Sequence, residues 1–145
     1  PYHLCFYDTI SKGLFCGDVL GGYFAEIDLF IPPLIPGTDF LLNLKSLEKL
    51  REINPTKLFL SHGCMKGNVA NSIQMTENNI KNCQDIVHKA LLAGEDRRKI
   101  TYRLIDALAK DSEFARSELS SSSHIENAFM WVEAYRIYLK KMNMI

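Results

Sequence analysis

Two short stretches place a metal-capable side chain beside glycine at the end of an apolar run: Leu14-Phe15-Cys16-Gly17-Asp18 and Leu58-Phe59-Leu60-Ser61-His62-Gly63. The end of a buried strand is rigid, so ligands from two such ends can converge, and a neighbouring glycine lets chain or substrate come close. A carboxylate with an imidazole suits zinc, iron or manganese, and the carboxylate can bridge two such ions. Both types also have plainer uses. An Asp after a strand serves as a turn or cap former, and a lone His beside an apolar run serves as a hydrogen-bonded polar group. Spacing alone leaves both uses open.

The other reactive side chains have weaker surroundings. Cys5, Cys16, Cys64 and Cys83 are scattered, with no CxxC pair, which fits a reducing cytoplasm better than a disulfide framework. Cys64, two residues past His62, is expected to pack near the site, with a soft supplementary ligand or a thiol at the pocket rim as alternatives. His88 and His124 fall on helical stretches with no second ligand nearby and are expected on the surface.

These residues need elements to hold them. His3 to Tyr7 and Leu14 to Cys16 are β-favouring runs around the turn-rich Asp8-Thr9-Ile10-Ser11-Lys12-Gly13, the pattern of a hairpin. If Asp8 faces Gly13, Cys5 faces Cys16. From Val19 to Gly37 the chain is apolar but unperiodic, broken by Gly21-Gly22, Pro32-Pro33 and Pro36-Gly37, and is expected to be a long loop. Asp39 can cap a helix whose stripe is Leu44, Leu47 and Leu50, ending before Pro55. Lys57 to Leu60 then forms a short buried strand. Past Asn68 the texture turns helical. Helices are expected over about 71–92 (Ile73, Ile80, Cys83, Val87, Leu91) and about 96–110 (Ile100, Leu104, Leu108). A last one, from His124 to Met142, is capped by Ser123 and carries Ile125, Phe129, Val132, Tyr135 and Leu139. Trp131 and Tyr138 lie off that stripe, so this helix is apolar on more than one face.

The bulk composition limits the function classes. With 145 residues, 47% hydrophobic and 23% charged, the chain has the makeup of a soluble globular protein. Seventeen basic residues balance seventeen acidic ones, which argues against nucleic acid or an anionic membrane as partner. No run reaches the roughly 20 apolar residues of a membrane span. The chain opens at Pro1 directly on a strand-like run and offers three strands, too few for a self-sufficient sheet, so partner strands are expected upstream.

The order Pro1-Tyr2-His3-Leu4-Cys5-Phe6-Tyr7-Asp8, then Leu14 to Asp18, then a helix, then Ser61-His62-Gly63 resembles the second half of the metallo-β-lactamase fold, the glyoxalase II-like hydrolases in particular. In that family a Thr-Pro-Gly-His turn precedes a strand, a strand ends in Gly-Asp, and a later strand ends in His beside Gly. The resemblance covers about residues 1 to 65. It implies an α/β protein: residues 1–68 as the C-terminal half of an αββα sandwich, and 69–145 as a helical extension for packing or dimerisation. The extension does not match a glutathione-binding domain.

By position, the resemblance makes Asp18 the metal-bridging aspartate and His62 the last histidine ligand. His3 matches a second histidine four residues after the ligand-bearing turn, which implies that it supports the site from outside the coordination sphere. Tyr23 and Phe24, just after Asp18, would form an apolar wall for substrate or simply cover the core. The implied cofactor is zinc, two ions, with iron or manganese as alternatives. The implied activity is hydrolysis of a thioester or ester-like small substrate by metal-activated hydroxide. The implied partners are the missing N-terminal half of the domain and a second copy of the chain. Zinc takes about four ligands, so the chain alone should be inactive. The expectation from another class is a non-catalytic assembly or dimerisation module built on the aromatic C-terminal helices.

Overall fold

A computed structural model describes residues 3–33, 37–110 and 112–145. Pro1 and Tyr2, at the start of the family-like pattern, and the loop breaker Pro36 lie outside the described residues. The protein is mixed α/β and gathers into two compact units, one comprising Pro1–Pro33 and Asp39–Ile80, the other Leu34–Thr38 and Lys81–Ile145.

The first unit is built on a four-stranded sheet. Strands β1 (Phe6–Asp8) and β2 (Gly13–Phe15) form the expected hairpin, pairing Phe6 with Phe15, Tyr7 with Leu14 and Asp8 with Gly13. The loop is held by Asp8, whose carboxylate accepts from the Ser11 hydroxyl at 2.5 Å and from the Ile10 and Ser11 amides. Those bonds, the hydroxyl first, keep its carboxyl below the usual range. With Asp8 facing Gly13, Cys5 does come opposite Cys16, and its thiol donates to the Cys16 carbonyl at 3.2 Å.

Between β2 and α1 (Phe40–Ile53) the expected featureless loop is instead a small antiparallel ribbon. Strands β3 (Gly22–Phe24) and β4 (Leu29–Ile31) pair across a 3-10 turn, Ala25–Ile27. The run has no apolar periodicity because every residue of β4 is buried, so it shows no alternation. Two side chains from α2 (Val69–Leu92) cap carbonyls of this region: Asn79 Nδ2 donates to Phe30 at 2.8 Å and Thr76 Oγ1 to Leu20 at 3.5 Å. Asn43 of α1 donates to the Val19 carbonyl at 3.0 Å.

Asp39 caps α1 as expected, accepting from the Leu42 amide at 3.1 Å. Phe40, Leu47 and Leu50 are buried, while Leu44 is only half-buried. Strand β5 (Lys57–Phe59) then lies parallel to β2, with Leu14 opposite Leu58 and Phe15 opposite Phe59. A strand absent from the sequence reading, β6 (Met65–Lys66), adds antiparallel to β5 and completes the order β1-β2-β5-β6. The sheet has two unlike faces. Leu14 and Leu58 are fully buried, whereas Phe6, Phe15 and Met65 are each more than half exposed.

In the second unit, α3 (Arg97–Ala109), capped by Asp96, buries Ile100, Leu104 and Leu108 as expected. Helix α4 (Glu113–Leu119) was not foreseen: at seven residues it is too short to display a stripe and buries only Ala115 and Leu119. It starts on Ser112, which accepts from the Ala115 amide at 3.1 Å. Helix α5 (Ser122–Lys141) begins with Ser121 at its N-cap, so the expected cap Ser123 lies inside the helix; four consecutive serines offer no distinction by type. Val132, Tyr135 and Leu139 are buried, and so are Trp131 and Tyr138 from the other face. Among the described residues no helix is long and apolar enough to cross a membrane.

Candidate metal centre

The sheet register brings the candidate residues together. Phe6 faces Phe15 across antiparallel strands, and Phe15 faces Phe59 across parallel ones. His3 lies three residues before Phe6, Asp18 three after Phe15 and His62 three after Phe59. The same pairing, carried three residues past the ladder, therefore puts all three at one end of the sheet with Asp18 in the middle. Its carboxylate answers to both neighbours: Oδ2 is 3.4 Å from His3 Nδ1, and Oδ1 is 3.4 Å from His62 Nε2.

Local structure supplies the final aim. The Cys16 amide donates to the Phe59 carbonyl at 3.0 Å, extending the β2–β5 ladder one step toward the site. Gly17 then takes φ +53°, turning the chain so that Asp18 leaves the strand direction. A Cβ on Gly17 would stand 3.1 Å from the Leu4 carbonyl, so glycine is also what lets the His3 segment pass. The next turn closes with the Gly21 amide on the Asp18 carbonyl at 2.9 Å.

The three side chains are open to solvent, His62 most of all at 72% exposure against 31% for Asp18. Both 3.4 Å separations are too long for good hydrogen bonds. They suit another use: two donors each about 2.0–2.1 Å from one tetrahedral ion stand roughly 3.3–3.4 Å apart. Asp18 has this spacing to His62 and to His3 alike. His3 faces the carboxylate's other oxygen. Because the imidazoles address different oxygens, the three do not make a closed cage, and among the described residues no group of three or more His, Cys, Asp and Glu side chains could hold an ion by itself. No protein-family model matches the chain, and no curated protein matches it.

Tyr23 and Phe24 are brought to the same place. The Tyr23 amide donates to the His62 carbonyl at 2.9 Å, and a Cβ added at Gly22 would stand 3.8 Å from the Phe24 ring and 3.9 Å from the His62 Cβ. Cys64 is exposed, so the packed role expected for it does not hold, whereas a place at the rim is compatible with that exposure. His88 Nε2 donates to the Met144 carbonyl at 3.3 Å, and His124 Nδ1 lies 2.8 Å from both the Glu118 carbonyl and the Ser121 hydroxyl. His124 thus joins α4 to α5 and is half-buried, not a free surface residue.

Two neighbours of the centre went unnoticed in the sequence, Asp28 and Lys66. Lys66 Nζ donates to the Tyr23 hydroxyl at 2.7 Å and to Asp28 Oδ1 at 3.1 Å, and the Tyr23 hydroxyl donates to Asp28 Oδ1 at 2.7 Å. The bond to Tyr23 is the main cause that raises the Lys66 pKa, with Asp28 adding to it. The one available signal was Lys66 falling four residues after His62, which by itself distinguishes nothing.

Proposed function

We propose that this chain is the C-terminal half of a metallo-β-lactamase-like domain, and that it contributes Asp18 and His62 to the metal centre of a hydrolase acting on a thioester or ester-like small substrate. The observation that carries the reading is the single sheet position shared by His3, Asp18 and His62, with the carboxylate between the two imidazoles. In this role Asp18 offers one oxygen to the ion that His62 also holds and leaves the other toward His3. His3 stands 3.4 Å from that second oxygen, outside the coordination sphere in this reading. A bound zinc, iron or manganese ion would acidify water and polarise the carbonyl under attack. Tyr23 and Phe24, beside His62, would form the apolar side of the substrate approach.

The half-domain part of the proposal rests on the unequal sheet faces. Phe6, Phe15, Phe59 and Met65 succeed one another across all four strands by register, and three of them are more than half exposed. A second sheet packed there would bury that row and make the inner layer of an αββα sandwich. The competing idea of an assembly module rested on surplus aromatics in the last helix. Trp131, Tyr135 and Tyr138 are buried within the chain, so these aromatics lend that idea no support, although Met130 and Ile137 of the same helix are exposed.

Elemental analysis of purified protein, with intact mass recorded on the same sample, tests the reading. Zinc, iron or manganese in stoichiometric amount where the mass shows the upstream half of the domain present, and little where it shows this chain alone, lost in both Asp18→Ala and His62→Ala while the circular dichroism spectrum is kept, is the expected result. Equal metal in wild type and both variants would overturn it.

A further inference from the structure

His62 is the most exposed of the three site residues, so packing of its own side chain cannot fix its direction. Its geometry has to come from the backbone of the turn between β5 and β6. One residue, Tyr23, touches that turn at three successive points. Its amide donates to the His62 carbonyl at 2.9 Å. Gly63, at φ +132°, lies so close that an added Cβ would be 3.0 Å from both the Tyr23 Cβ and the Tyr23 carbonyl. Lys66, at the far end of the turn, donates to the Tyr23 hydroxyl at 2.7 Å and has its ammonium 4.2 Å from the centre of the Tyr23 ring.

Asp28 closes the arrangement by accepting from both, at 2.7 Å from the Tyr23 hydroxyl and 3.1 Å from Lys66. It does so from a left-handed conformation, φ +45°, that an L residue adopts at some cost. Lys66 lies partly covered but Asp28 is open to water, so what these bonds supply is geometry more than strength. The three polar groups therefore tie the β3–β4 ribbon to the strand that follows His62.

We infer that Lys66, with Tyr23 and Asp28, is a positioning residue for His62: the trio pins the 62–66 turn to the ribbon and so sets where the imidazole meets Asp18. The inference rests on the metal-site reading proposed above. None of the three need touch an ion, and Lys66 and Asp28 need touch no substrate. Outer partners that orient a ligand commonly change metal affinity by about 10-fold or more when removed.

The experiment is titration of the intact chain with Co(II) alone, following the visible absorption band. Wild type is compared with Lys66→Met, Lys66→Arg, Tyr23→Phe and Asp18→Ala, and the His62 imidazole NMR signals are recorded on each metal-free protein. Lys66→Met and Tyr23→Phe should weaken Co(II) by about 10-fold, alter the band and shift or broaden the His62 signals. Lys66→Arg should restore most of the affinity, which a general loss of folding would not allow. Unchanged affinity and unchanged His62 signals in Lys66→Met and Tyr23→Phe, with binding lost in Asp18→Ala, would overturn the positioning role and leave the metal reading standing. Co(II) binding unaffected by Asp18→Ala would instead overturn the metal reading, and the inference with it.

Discussion

Phe15 and Phe59 face each other across parallel strands with their rings stacked 4.6 Å apart, and Asp18 and His62 each follow three residues later. The stacked pair belongs to the rung from which the metal-capable end is measured. A strand register is quantised, since a one-residue slip sends every side chain to the other face. The site therefore depends on that pairing as much as on its own residues. Insertion of one alanine between Leu60 and Ser61 should leave β5 paired and move His62 off Asp18. The expected result is an unchanged far-ultraviolet dichroism spectrum with Zn(II) affinity reduced to that of His62→Ala, checked by calorimetric titration.

Gly17 is the other local requirement. At φ +53° an alanine pays about 1–2 kcal/mol, and its Cβ would press on the Leu4 carbonyl at 3.1 Å. Gly17→Ala should lower the urea-unfolding free energy by at least that amount. It should also separate His3 from Asp18, since relief of the contact moves the His3 segment outward. Gly67→Ala, where an added Cβ meets nothing within 4 Å, is the control and should leave the midpoint nearly unmoved.

The exposed row on the sheet predicts association of the isolated chain. Phe6 and Met65 lie on the two outer strands, both more than half exposed, and unpaired edges beside an apolar face invite further strands or a second copy. Sedimentation of wild type should show a mass that grows with concentration. The double variant Phe6→Thr, Met65→Thr should stay monomeric with a melting temperature within a few degrees of wild type, because neither side chain is buried. Concentration-independent monomer in the wild type would remove this support for a missing second sheet.

Much of this architecture was legible in the residues. The hairpin register followed from turn formers at Asp8 and Gly13, the Asp39 cap from its place before an apolar stripe, and α3 from Asp96 and its three regular leucine and isoleucine positions. What escaped detection has physical reasons. The β3–β4 ribbon is buried along β4, so it lacks the alternation that betrays a half-exposed strand. Strand β6 is two residues long and α4 seven, both below the length at which a period can be seen. Asp18 and His62 were visible as candidates by type and neighbouring glycine, but their common rung was not, because parallel pairing joins residues 44 positions apart with no local signal. The Tyr23–Asp28–Lys66 trio is hidden for the same reason.

Thiol accessibility should separate the four cysteines. Cys64 is exposed, and Cys5 is exposed as a residue although its thiol lies against the Cys16 carbonyl and partial burial raises its pKa. Cys16 and Cys83 are buried, and burial pushes both thiols up to about 12. Since the thiolate is the nucleophile, iodoacetamide at pH 8 should modify Cys64 first and Cys5 more slowly, with Cys16 and Cys83 protected until urea unfolds the chain. Peptide mass spectrometry over time gives the order. Early labelling of Cys83 would mean that α2 opens locally.

The same two thiols predict how stability responds to alkali. Their folded pKa values, about 12, lie above the ordinary 9.0, so the folded state keeps protons that the unfolded chain releases. Their contribution is fully present below pH 9 and is lost as the pH rises from there through about 12. At pH 10 the unfolded chain gains roughly 1.4 kcal/mol from each ionised thiol. Tyr135 acts in the same sense, its hydroxyl also raised by burial, but from about pH 10 upward. The urea midpoint of the wild type should be lower at pH 10 than at pH 8. In Cys83→Ala, whatever the substitution costs at pH 8, the drop between the two pH values should be smaller by about half of the combined thiol effect, because one of the two buried protons is no longer there to lose. Equal drops in wild type and variant would show that Cys83 ionises as readily in the folded chain as in the unfolded one and would overturn the argument from its burial.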